Sequence, residues 1–188
     1  LDITTSNNGA DNGIAITTGT WATSVTGTGA DDLISINAGS LLNNSVLTLD
    51  GVSNVVVTSL IGDIQANGLT AGTLDVTTSN NGDDNGIAIT TGTWATSVTG
   101  TASGDTVSVD AASLMQNSVL TLDGLSNVLV TNLVGDVQAS GLTGGTLDIT
   151  TGNALDNAIG ITTGTWATSV TGSGSNDTLN VNAASLEN

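Results

Sequence analysis

The chain has no Lys, Arg, His, Cys, Pro, Phe or Tyr, and its 17 acidic residues leave a formal charge of −17 over 188 residues. Each absence closes off some chemistry. Without a basic side chain, no salt bridge between side chains can form. Nucleic acid and anionic membrane surfaces are held mainly through Lys and Arg, so neither is an expected partner. Cations are the natural counter-species. Self-repulsion favours solubility at low ionic strength, and salt or divalent ions relax it. Without Cys there is no disulfide and no thiolate metal site. No apolar run approaches the roughly 20 residues of a membrane helix, so membrane insertion is not expected. The start shows no signal peptide or initiator Met and falls on a repeat boundary, so the chain reads as a mature or excerpted piece of something longer.

What is present is repetition. The segment ITTGTWATSVTG occurs unchanged at residues 16–27, 89–100 and 161–172, and it holds the only aromatic residues, Trp21, Trp94 and Trp166. The surrounding sequence returns with it. Residues 1–73 form one repeat, 74–146 a second and 147–188 a partial third that lacks one residue before Trp166. No linker separates the repeats, which argues for one continuous solenoid.

Within a repeat, short runs of Val, Ile, Leu and Thr alternate with Gly, Asn, Asp and Ser, the texture of strand and turn. In the first repeat LDITT, GIAITT, ATSVTG, LISIN, VLTLDG, NVVVTS and DIQAN are candidate strands. AGSLLNN and AASLMQN are too short to be independent helices and read as loops or single turns. The apolar centres Ile3, Ile14, Val25, Ile36 and Leu47 are evenly spaced, each step long enough for one strand plus one turn. Two or three such steps make a coil of roughly 18–24 residues in a parallel β-solenoid, a β-helix or β-roll. A narrow coil interior suits aliphatic side chains and has little space for rings. The alternative is a string of small antiparallel β-sandwiches, since seven strands per repeat is a sandwich number.

The run VTGTGADDLISI, with VTGTASGDTVSV and VTGSGSNDTLNV in the other copies, resembles a degenerate haemolysin-type (RTX-like) nonapeptide, Gly-Gly-x-Gly-x-Asp-x-apolar-x. Gly27, Gly29, Asp31 and Leu33 match in the first copy, Gly172 and Gly174 in the third, where Asp177 is displaced by one. The wider texture is similar to the β-strand-repeat tracts of giant secreted bacterial proteins of adhesin, sheath or surface-layer type. That resemblance implies a calcium-binding β-roll and an extracellular or cell-surface location. The nonapeptide occurs only once in each repeat, however, whereas stacked calcium sites need it in tandem.

The carboxylates with calcium-ligand chemistry are Asp11, Asp31, Asp32, Asp84, Asp105, Asp156 and Asp177, set among Asn side chains and turn carbonyls. The same residues serve equally as turn formers. Catalysis is not expected. Without His, Cys or Lys only carboxylate or Ser/Thr chemistry remains, and the Asp31–Asp32 pair is not kept in the other copies. Thr18–Thr20 and Thr26–Thr28 have the Thr-x-Thr form of ice-binding solenoids but do not recur on every strand. The functional expectation is a structural extracellular repeat protein, a stiff fibre, sheath, surface-layer or adhesin stalk that associates end to end. The alternative is an adhesive module binding calcium or a cell-surface glycan. Each Trp sits between two strands, where it would plug a wide corner of the coil, seal the junction between repeats, or offer a contact surface.

Overall fold

A computed structural model describes residues 1–6, 13–79, 86–152, 158–174 and 178–187. The first repeat contributes β1 (Asp2–Thr4), β2 (Gly13–Thr17), β3 (Thr23–Gly27), β4 (Leu33–Asn37), β5 (Val46–Gly51), β6 (Asn54–Leu60) and β7 (Asp63–Leu69). The second contributes β8 (Leu74–Thr78), β9 (Gly86–Thr90), β10 (Thr96–Gly100), β11 (Thr106–Asp110), β12 (Val119–Gly124), β13 (Asn127–Leu133) and β14 (Asp136–Leu142). The partial third contributes β15 (Leu147–Thr151), β16 (Ala158–Thr162), β17 (Thr168–Thr171) and β18 (Thr178–Asn182). All seven candidate strands of the first repeat are present, and there is no helix among the described residues.

The strands form a two-sided parallel β-solenoid. Odd-numbered strands stack in one nine-stranded sheet and even-numbered strands in another, so each coil holds two strands and takes roughly 21 residues. Every described pairing is parallel, for example Thr23–Gly27 on Val46–Gly51 and Leu33–Asn37 on Asn54–Leu60. This excludes the alternative of antiparallel sandwiches. At ~4.8 Å per strand the stack is about 40 Å long.

Alternation along each strand explains the core. In β4 the pattern LISIN turns Ile34 and Ile36 inward, both essentially fully buried, and leaves Leu33, Ser35 and Asn37 outside. Successive coils place inward residues over one another. Val109 pairs with Ile89 below and Val130 above, and Val130 with Ile149. In the second sheet Ile34 links Ile14 to Val55, which pairs in turn with Leu74. The result is one apolar cluster running through the stack. Each buried Val, Leu or Ile contributes about 1.5–3 kcal/mol relative to exposure. The even step between apolar centres seen in the sequence is therefore a change of sheet, and two steps make a coil: Ile3 pairs with Val25. The coil is not uniform. Val46 pairs with Asp63, and Ile64 with Ile89, the difference being taken up in turns.

Seven strands per repeat and two per coil give 3.5 coils per repeat. Successive repeats therefore present the same strand in opposite sheets. The outer column Asp2–Ser24–Thr48–Gln65–Thr90–Asp110 lies on the first sheet. Its copy, Asp75–Ser97–Thr121–Gln138–Thr162–Asn182, lies on the second.

Coil stacking is tightest where glycine backbones meet. Gly51 has φ 103°, and a Cβ placed on it would lie 2.0 Å from the Gly27 carbonyl oxygen; Gly124 repeats this against Gly100. Nothing lies within 4 Å of the corresponding position on Gly86. Gly51→Val should therefore cost roughly 2–4 kcal/mol, combining left-handed strain with overpacking, whereas Gly86→Ala should be neutral or slightly stabilising. Denaturant unfolding of the two variants checks this; equal midpoints would contradict it.

Candidate functional site: tryptophan turns and aspartates

The ITTGTWATSVTG segment spans the end of one strand, a turn and the next strand, so each Trp stands at a corner. The Thr that follows each Trp-Ala pair donates its hydroxyl to the Trp carbonyl: Thr23 to Trp21 (3.3 Å), Thr96 to Trp94 (3.4 Å) and Thr168 to Trp166 (3.2 Å). The indole N–H of Trp94 donates to the Thr70 carbonyl (3.2 Å), and that of Trp166 to the Thr143 carbonyl (2.8 Å), one coil back. From the other side, the N–H groups of Leu42, Met115 and Glu187 donate to the carbonyls of Thr20, Thr93 and Thr165 (2.9–3.1 Å). The Trp corners are thus tied to neighbouring coils.

The rings nevertheless lie outside. Trp21 is 74 % exposed, Trp94 48 % and Trp166 58 %. The expectation of an indole plugging a corner from within is corrected. The two sheets enclose aliphatic side chains, and the corners are closed by Thr and Ser instead. Thr28 and Thr101 donate to the Thr5 and Thr78 carbonyls (2.6 and 2.9 Å), and Ser53 and Ser126 to those of Gly29 and Ala102 (2.6 and 2.7 Å).

One coil beyond the first two rings is a residue that sequence reasoning missed. Leu42 follows Trp21, and Met115 follows Trp94, at the same repeat position, and both are about half exposed. In the third copy this position is Glu187. An open groove at the first corner is lined by Trp21, Ala22, Leu42, Asn43 and Asn44, and one at the third by Trp166, Ala167, Leu186 and Glu187. The signal was a spacing equal to one coil.

Among the described aspartates, Asp32 and Asp105 are tied into corner turns through their main chain, and Asp63 and Asp136 accept backbone N–H groups through their carboxylates. Asp31 is exposed, whereas Asp32 and Asp105 are each only 2 % exposed, folded into the corner turns. The Asp32 N–H donates to the Gly29 carbonyl (3.3 Å), and the Asp32 carbonyl accepts from the Asn54 N–H (3.0 Å). Asp105 repeats both bonds with Ala102 and Asn127. The inward apolar residue after this turn is Ile34, not the exposed Leu33. The nonapeptide frame is thereby shifted by one, to Asp32–Ile34 and Asp105–Val107, consistent with the displaced Asp177 in the sequence. Asp63 and Asp136 each accept a ladder N–H, from Ala88 (2.8 Å) and Gly160 (2.7 Å).

Asp11, Asp84, Asp156 and Asp177 lie outside the described residues. Among the described residues no three acidic side chains converge as a metal site. Comparison with protein-family models, curated proteins and solved structures returns no match.

Three outward indoles give a spectroscopic expectation. Fluorescence emission should lie close to that of indole in water, and acrylamide should quench it nearly as efficiently as a free tryptophan derivative. Blue-shifted, protected emission would contradict the outward placement.

Proposed function

We propose that the chain is a structural repeat protein of the extracellular space or cell surface, a stiff spacer within a fibre, sheath, surface layer or adhesin stalk. The observation that carries this is the uninterrupted parallel stack, whose inward ladders and backbone bonds pass through every repeat boundary without a hinge. β7 and β8 follow each other in adjacent sheets, β8 pairing in parallel with β6 over four positions and β7 with β9 over two. Such a stack lengthens by addition and resists bending, because each coil is bonded to the next along two sheets. End-to-end association suits such a stack, because an unpaired strand edge templates further strands.

The exposed Trp corners favour a second reading, an adhesive module for a glycan or for calcium. Indole faces do stack on sugars, but carbohydrate platforms group several rings, and here each repeat carries a single one. For calcium, the described carboxylates that accept ladder and turn N–H groups already have a role. Thermal melts with EDTA and with added calcium should therefore coincide.

The spacer reading is tested by length. Chains built with additional full repeats should form rods that grow by about 17 Å per repeat, 3.5 strand spacings. Small-angle scattering measures this. A cross-section that widens with repeat number, or a length that does not grow linearly, would overturn it.

A further inference from the structure

The carboxylates around the exposed indoles indicate what chemistry covers them. Trp94 stands between β9 and β10, at the edge where the chain passes from the first sheet to the second. Four strand ends beside that edge carry aspartates. On the first sheet, Asp50 lies two coils before the Trp94 coil and Asp110 one coil after it. On the second, Asp75 lies one coil before and Asp136 two coils after. Each pair spans three strand spacings, about 14 Å along the axis. Strand alternation turns all four outward; Asp75 is exposed and the others are half-buried.

The ring leans toward one of these carboxylates. The Trp94 N–H donates to the Thr70 carbonyl, in the corner that leads into β8 and Asp75. Asp75 in turn pairs with Ser97, three residues after Trp94. The other copies keep this relation. Asp2 pairs with Ser24 after Trp21, and Asp148 with Ser169 after Trp166. Trp166 also shares its groove with Glu187.

We infer that the Trp corners dock a basic partner protein through arginine side chains on an extended segment lying along the edge. The indole stacks one guanidinium, and the flanking carboxylates bond its neighbours. Charge complementarity selects this partner. The chain has 17 acidic residues and no cationic side chain, so its own side chains leave that charge uncompensated. Asp110 accepts from the Ala112 N–H and the Asn132 amide, and Asp136 from the Gly160 N–H. These donors are neutral and leave the carboxylate charge in place. An indole face attracts cations, Trp best among the aromatic rings. Arginine suits the pair better than lysine, because its planar, weakly hydrated guanidinium stacks on a ring and bonds a carboxylate through two N–H groups. A polypeptide suits the edge better than a small cation. The carboxylates are spread along the axis, and the half-exposed Met115 between them offers apolar contact. At ~3.4 Å per residue, about 14 Å is four residues of an extended segment. The acidic edge also steers such a segment toward the ring.

The test uses the full chain carrying Trp21→Leu/Trp166→Leu, so that Trp94 is the only indole. The probe is a synthetic peptide with four arginines spaced four residues apart among Gly and Ser, compared with its lysine counterpart in about 0.15 M NaCl, where the screening length is ~8 Å. Circular dichroism checks that each variant keeps its β-structure. The arginine peptide should perturb the indole emission and bind about two- to fivefold more tightly than the lysine peptide. Calorimetry should find that preference gone when Trp94→Leu is added. Asp75→Asn/Asp110→Asn should weaken arginine-peptide binding several-fold. Asp2→Asn/Asp148→Asn removes the same charge beside the opposite edge and should weaken it much less. Equal binding of the two peptides, with equal losses from the two aspartate pairs, would overturn the inference and leave only the field of the whole chain. So would emission that answers a neutral oligosaccharide or calcium chloride but not the arginine peptide, or that shifts with protein concentration alone; these assign the ring to a sugar, a metal or a second copy. The docking stands apart from the spacer reading. Rods that lengthen with added repeats but bind no arginine peptide would refute the docking alone, and binding by rods that fail to lengthen would refute the spacer alone.

Discussion

The backbone ladder between coils is the interaction on which the rest of the structure depends. With no cationic side chain, disulfide or Pro, the chain has few devices for fixing its shape, and it relies on stacking each strand in parallel on the one a coil before. That ladder has to be continuous, because a parallel strand without neighbours on both sides leaves its N–H and C=O groups unsatisfied. Side chains are recruited to the same end at the corners, where regular pairing stops. There Thr28, Thr101, Ser53 and Ser126 donate hydroxyls to carbonyls of the preceding coil. Asp63 and Asp136 supply acceptors where β7–β9 and β14–β16 pair over only two positions. Even the indole N–H groups of Trp94 and Trp166 bond to carbonyls of the coil before. The abundance of Thr, Ser, Asn and Asp in so apolar a fold follows from this demand.

A second consequence concerns symmetry. The repeat in sequence and the repeat in space differ, one being seven strands and the other two. Any feature that occurs once per sequence repeat is therefore distributed alternately to opposite sides of the rod. A fibre built this way has no distinct front and back once two repeats are averaged. The same outer column of Asp, Ser, Thr and Gln side chains appears on both faces, and the same corners on both edges.

Much of the fold was legible in the sequence, and the reasons are specific. GIAIT, LISIN and VLTLDG alternate cleanly between apolar and polar residues, and Gly, Asn and Asp clusters separate them, so strand positions followed from periodicity alone. The even spacing from Ile3 to Leu47 showed the strand-plus-turn step. The number of steps per coil was not legible, because the turns range from the short Val52–Ser53 to the long segment 38–45, and nothing local shows when the chain has come full circle. The frame of the Asp turn was misassigned by one position. Resemblance to the nonapeptide pointed to Asp31 and Leu33, although Ile34 and Ile36 form the better apolar face of LISIN. The exposure of Trp was also hidden, since a large apolar residue is ordinarily expected inside.

That last reversal has a physical cause. Two β-sheets facing one another at ~10 Å hold one interdigitating layer of aliphatic side chains, and here the inward positions are Val, Ile, Leu and Ala at close to zero exposure. Inserting an indole would push the sheets apart locally, and because every coil is bonded to its neighbours the displacement would spread along the stack. A large ring is therefore tolerated only where it projects from a corner. The outward position still needs its own explanation, because an exposed Trp does nothing for the core and makes a charged, repulsive chain more adhesive. It recurs in an unaltered sequence setting, held by the same carbonyl and hydroxyl contacts at its base. An arrangement that fixes the foot of a ring and leaves its face in water serves whatever the face touches.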